Sequence, residues 1–197
     1  MNGFKNLAAR LMLAASMAWA GGAAFAAPVY HVAIDTTSLG SGTAYLGLSF
    51  LGLDGADAEA AVTGFTGALT GMGTATGDVS GSLPDLLSFG SAGGGGDFVQ
   101  SIVLGGRFAF DVAFSIGTGD VGSAFSWALF NDSQYLGADG DLGTIQLDPS
   151  AAQALQVTLP QANQFSSVSA IPEPASVLLA LTGMFMLLLT SQRVRRH

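Results

Sequence analysis

Arg107-Phe108-Ala109-Phe110-Asp111-Val112-Ala113-Phe114-Ser115-Ile116 decides the fold of this chain. Phe108, Phe110, Val112, Phe114 and Ile116 fall on one side of an extended backbone, and Arg107, Ala109, Asp111, Ala113 and Ser115 fall on the other, because successive side chains of a strand point to opposite faces. Large apolar side chains in strict alternation need a partner layer, since each stabilises by about 1.5–3 kcal/mol only when fully buried. Such a one-sided strand predicts two sheets packed face to face.

The same period of two recurs outward from this stretch. Tyr30, Val32 and Ile34 alternate with His31, Ala33 and Asp35; Ala44, Leu46, Leu48 and Phe50 alternate with Tyr45, Gly47 and Ser49; Phe125, Trp127 and Leu129 repeat the pattern after residues 117–122. Apolar segments at 61–66, 98–104, 142–147 and 155–159 bring the total to about eight strands. Residues 54–59 read as a turn. Residues 67–96 are mostly Gly, Ser, Thr and Ala, with an apolar island at 83–89 of either helix or strand, and 93–96 read as a flexible loop. The expectation is an all-β fold: a two-layer antiparallel sandwich of jelly-roll or immunoglobulin-like character over residues 27–160, then a polar stalk over 161–171.

Both ends of the chain carry export signals. Lys5 and Arg10 precede an apolar run at 11–20, and Ala24 and Ala26 supply the small residues that signal peptidase reads, so residues 1–26 are expected to be a signal peptide cleaved after Ala26. Near the other end, residues 175–190 carry no charge and would span about 24 Å as a helix. A bilayer core is about 30 Å thick, and Ser191 with snorkelling arginines extends the run, giving a C-terminal transmembrane helix over 175–191. Arg193, Arg195 and Arg196 follow it and favour the cytoplasmic side, which leaves everything before Pro172 outside the cytoplasm.

Pro172-Glu173-Pro174, the short hydrophobic segment and Arg193, Arg195 and Arg196, in that order over residues 172–197, resemble the PEP-CTERM sorting signal of bacteria that secrete exopolysaccharide. The resemblance implies recognition by an exosortase-type membrane protease and processing near Pro172-Glu173-Pro174. The tail would then be a transient inner-membrane tether, lost in the manner of a GPI signal, and the body would end at the cell surface or outside the cell. An ordinary C-terminal anchor is the alternative. Asp35-Thr36-Thr37-Ser38-Leu39, the strand that follows to Phe50, and residues 62–65 also resemble, more loosely, the glycine-rich sandwich domains of such proteins. That likeness implies a sandwich and no particular activity.

Removing both signals leaves a strongly acidic body. Arg107 is its only fixed positive charge and thirteen carboxylates remain, for a net charge near −12 and no lysine. A surface of that sign repels phosphate backbones and anionic lipids, which excludes nucleic acid as a partner. It suits cations, neutral sugars or a hydrated matrix. Cysteine is absent, so stability must come from the core or from bound ions rather than from a disulfide framework.

Catalytic chemistry finds little to work with. Gly117-Thr118-Gly119-Asp120-Val121-Gly122 matches the string that cradles a dinucleotide, but that fingerprint needs a helix at its end, and an alternating aromatic strand follows; a hairpin turn is the expectation. His31 is the only histidine before the tail, and no Gly-x-Ser-x-Gly elbow exists. His31 and Asp35 would share one face of a strand about 13 Å apart, so an outward surface histidine is expected. Asp111 interrupts a strong strand and is expected on its solvent face. Calcium is the most credible ligand, because Asp54, Asp57 and Glu59 crowd one turn while Asn131, Asp132, Asp139 and Asp141 crowd another, and this ion takes hard oxygens on flexible loops. Ordinary solvated turns are the alternative, and neither group has EF-hand spacing.

The expected function is that of an exported, non-enzymatic protein of the cell envelope or extracellular matrix, associated with exopolysaccharide or biofilm. Its partners would be signal peptidase, an exosortase-type protease and the polysaccharide. A second reading is a carbohydrate-binding module that holds sugars on exposed aromatics such as Tyr45 or Tyr135. A third, an extracellular hydrolase, would need a pair of carboxylates across a sugar cleft.

Overall fold

The computed structural model describes residues 29–53, 57–117, 121–151, 154–160 and 164–171. The expected signal peptide with Ala24 and Ala26, and the expected sorting tail with Pro172, Glu173, Pro174, the 175–191 segment, Arg193, Arg195 and Arg196, lie outside the described residues.

The strands are β1 (Val29–Asp35), β2 (Thr43–Gly52), β3 (Ala58–Thr66), β4 (Thr74–Gly77), β5 (Val79–Gly81), β6 (Leu87–Gly90), β7 (Gly95–Val103), β8 (Arg107–Ile116), β9 (Ser123–Phe130), β10 (Gly143–Leu147), β11 (Leu155–Thr158) and β12 (Ser166–Ile171). They build two antiparallel sheets, ordered β12-β1-β8-β3-β6-β5 and β11-β10-β9-β2-β7-β4. The described part of the chain is therefore an all-β sandwich, as the alternation in β8 requires.

The inner faces are the ones the sequence marks. Phe108, Phe110, Val112 and Phe114 of β8 are buried against Leu46, Leu48, Phe50, Phe125, Trp127 and Ile145 of the other sheet. Phe110 sits among aromatic rings from both layers, with centroids 6.4 Å from Phe65, 6.5 Å from Phe125 and 6.5 Å from Trp127. The Phe65 pair is stacked and the Phe125 and Trp127 pairs are edge-to-face; aromatic pairs of these kinds add about 0.5–1.5 kcal/mol each beyond the area they bury.

Four expectations need correction. Residues 166–171 are not stalk: β12 pairs with β1 from Val29↔Ile171 to Ile34↔Ser166, which extends the domain past residue 160. The segment Ser-Ser-Val-Ser-Ala-Ile has too little apolar alternation to read as a strand; its backbone ladder and the bond from Trp127 Nε1 to Ser166 Oγ at 2.8 Å hold it. The 67–96 stretch contains β4, β5 and β6, and all four β4 side chains are exposed, so pairing with β7 rather than a buried face defines that strand. Gly95 and Gly96 begin β7 opposite Leu51 and Phe50 instead of forming a loose loop. The connection at 117–122 is no hairpin turn, because β8 and β9 lie in different sheets.

One pole of the sandwich gathers Val29, Ile171, Ala113, Ile116, Ala58, Gly52, Ser123 and Leu147 through the ladders that join them. The opposite pole gathers Asp35 with Arg107, Thr43 with Val103, and Tyr45 with Phe130. Bonds from Leu104 N to Gly42 O at 2.8 Å and from Thr36 N to Gly106 O at 2.9 Å close that second pole.

Candidate functional site

The outer face of the β1–β8 sheet holds the body's histidine. His31 and Asp111 stand directly opposite each other on β1 and β8, and Asp111 Oδ1 lies 2.6 Å from His31 Nδ1 on an exposed surface. Both side chains thus face solvent as their parity predicts. The partner of His31 is Asp111 across the ladder, not Asp35 along the strand.

Asp35 instead organises the turn that follows β1. Its Oδ1 accepts the Thr37 hydroxyl at 2.6 Å and the Thr37 backbone N–H at 3.0 Å, while Oδ2 accepts Arg107 Nε at 2.9 Å. These donors, the Thr37 hydroxyl foremost, hold the Asp35 carboxyl down at about 2 by favouring its ionised form. Thr36 beside it is fully buried; its hydroxyl donates to Gly106 O at 2.8 Å and accepts Gly105 N–H at 3.1 Å. The Asp-Thr-Thr-Ser motif is thus a structural clamp between β1 and the turn before β8.

The described members of the acidic turns do not gather into a group of three. Asp54 lies outside the described residues. Asp57 precedes β3, and its carbonyl accepts Gly117 N–H at 2.5 Å. Glu59 is already in β3, exposed and opposite Ser115 and Gly90, because the strand begins earlier than the turn reading allowed. In the second group, Asn131 Oδ1 is committed to its own turn, accepting the N–H groups of Ser133 and Gln134 at 2.9 Å each. Among the described residues, Asp132, Asp139 and Asp141 included, no three His, Asp or Glu side chains gather as a metal would require.

An aromatic cluster does converge, at the pole opposite Val29 and Ile171. Tyr45 on β2 pairs with Phe130 at the end of β9, and their rings stack with centroids 5.5 Å apart and planes 28° apart. Tyr135 meets Phe130 edge-on at 6.1 Å, and an isolated bridge fixes the two backbones. Gly47 permits this packing, since a Cβ there would come within 3.0 Å of Phe130 Cε1. Phe130, Asn131, Ser133, Gln134 and Tyr135 line a shallow cleft of about 330 Å³ beside the rings. Tyr45 and Tyr135 were legible from sequence as exposed aromatics; Phe130, which joins them, was not singled out. Its signal is parity: in β9 the odd residues Phe125, Trp127 and Leu129 point inward, so an aromatic at 130 points out.

Comparison of the chain with protein-family models, with curated proteins and with solved structures gives no match.

Proposed function

We propose that this protein is exported, sorted at the inner membrane through its C-terminal signal by an exosortase-type protease, and released into or displayed on an exopolysaccharide-rich envelope, where it serves a non-enzymatic role. The observation that carries this reading is the pairing of Val29 with Ile171. Leader and tail attach to one pole of the sandwich, so a body held by both ends during export can hang from a single membrane face without unravelling. The order of charges supports the same orientation, with Lys5 and Arg10 before the first apolar run and Arg193, Arg195 and Arg196 after the second.

The winding of the chain favours the jelly-roll form of the sandwich over the immunoglobulin-like one. β1 neighbours β8, β2 neighbours β7 and β3 neighbours β6, while β4 and β5 are consecutive at the centre of this nest. A long hairpin folded over into two sheets has this nested order.

Intact mass measurement of the protein from membranes, cell surface and medium tests the reading. Loss of residues 1–26 and a new terminus near Pro172-Glu173-Pro174 is the expected result. Recovery of the uncut chain from the cytoplasm would overturn it.

A further inference from the structure

The aromatic cluster stands in unusual electrostatic surroundings. The body as a whole is near −12, yet the outward positions of β2 and its neighbours around Tyr45 are Thr43, Gly47, Ser101, Ala128 and Val99, all uncharged. Asp97, also on this face, stands opposite Ser49, two residues beyond Gly47, and accepts the Ser49 hydroxyl. Tyr135 keeps 54% of its surface exposed, whereas most aromatic rings of the body are in the core.

These features define a ligand class. A cation would need several carboxylates, whereas the turn between Phe130 and Tyr135 carries only Asp132, which does not line the cleft; an anionic polymer would be repelled by the net charge of the body. The stacked Tyr45–Phe130 pair with the exposed Tyr135 ring set edge-on beside it offers apolar area at low entropic cost, and the phenol and amide groups at its edge offer donors and acceptors. With Asn131 Oδ1 held inside its turn, the Nδ2 donors lie on the other side of the same amide. Apolar faces of C–H bonds edged by hydroxyls are the chemistry of a pyranose ring, so we propose that Tyr45, Phe130 and Tyr135 form a stacking platform for an uncharged, pyranose-based polysaccharide, with Gln134 and Asn131 at its polar rim. The inference rests on the proposed export only for where the polymer is met. On that reading the platform lies on the membrane-distal pole, turned toward the matrix.

Native affinity electrophoresis of the full-length protein in detergent, through gels containing hydroxyethylcellulose, dextran or alginate, tests the platform independently of sorting. Retardation by at least one of the two neutral glucans, none by carboxylated alginate, and at least a tenfold weakening in Tyr135→Ala are the expected results. Tyr135 is peripheral, so its loss leaves the core intact; Phe130→Ala, checked for an unchanged circular dichroism spectrum, should weaken binding as strongly, and Tyr45→Phe should retain most of it. No retardation by either neutral polymer, or equal retardation of wild type and Tyr135→Ala, overturns the proposal. So does a dimer in sedimentation that Tyr135→Ala dissolves, because the rings would then be covered by a second copy. Failed export with intact binding would count against the sorting reading alone.

Discussion

Trp127 in the centre of β9 donates its indole N–H to Ser166 at the start of β12, 2.8 Å away. The bond crosses the sandwich from one sheet to the other. It ties the last described strand to a fully buried ring of the core, so the segment Ser166–Ile171 is part of the fold. Asp35 N–H adds a second tie by donating to Phe165 O at 2.7 Å.

Ser166→Ala should therefore destabilise the body by about 1–3 kcal/mol, because it strands a buried donor. Ser166→Thr, which keeps the hydroxyl, should recover most of the loss. Trp127 is the only tryptophan between residues 27 and 171, and its fluorescence during urea unfolding reads the midpoint directly. An unchanged midpoint in the alanine variant would show that the β1–β12 ladder alone holds the strand.

Glycines of the 93–96 run should differ sharply in their tolerance of a side chain. Gly93 and Gly95 both have positive φ, at 63° and 96°, but an added Cβ meets nothing at Gly93 and collides with Phe50 O at Gly95. Gly93→Ala is expected to cost only the left-handed backbone penalty of about 1–2 kcal/mol. Gly95→Ala adds steric displacement of the β2–β7 ladder and should cost at least about 3 kcal/mol in total. Denaturation midpoints of the two variants, measured side by side, decide whether this segment is strand or loop.

Sequence reading succeeded where a strand buries one face. β1, β2, β8 and β9 carry apolar residues on alternate positions, and those residues are the core. It failed where backbone pairing, rather than side-chain burial, makes the strand: Thr74-Ala75-Thr76-Gly77 and the serine-rich β12 present no periodic signal. Partners were illegible for the same reason. The sequence places His31 on an outer face, but only the β1–β8 register brings Asp111 to it. Tyr45 and Tyr135 are visible as surface aromatics, yet their joining through Phe130 depends on the β2–β9 register and on Gly47 making room. Crowding of acids in sequence does not fix their geometry: Asp57 precedes β3, while Glu59 stands within the strand.

Asp35 should contribute an acid-side slope to stability. Its carboxyl is held from 3.8 down to about 2 in the folded chain. The folded value is below the unfolded one, so its stabilisation is complete above 3.8 and disappears as pH falls toward 2. Asp35→Asn should flatten the fall in unfolding midpoint across that window relative to wild type. The effect should survive high salt in large part, because the Thr37 hydrogen bonds cause most of the shift and only the Arg107 contribution is screened. Identical pH profiles for the two proteins would remove Asp35 from the set of acid-sensitive groups.

Ser123 is, among the described residues, the buried side chain whose polar atom has no hydrogen-bond partner. It opens β9 at the pole near Val29 and Ile171, opposite Gly52 on one side and Leu147 on the other. Its side chain is 7% exposed, and among the described residues its hydroxyl has no hydrogen-bond partner. Burying an unsatisfied hydroxyl opposes folding, and removing the oxygen relieves that penalty while leaving the Cβ that packs. Ser123→Ala should accordingly raise stability by about 1 kcal/mol. Ser123→Val is the contrasting variant, since its extra methyl must fit beside Leu147, the buried residue opposite it on β10. A gain in alanine and a smaller gain or a loss in valine identifies the hydroxyl, rather than unfilled space, as the source of the penalty. A loss of stability in Ser123→Ala would mean that the hydroxyl is satisfied in solution, by water or by a neighbouring loop.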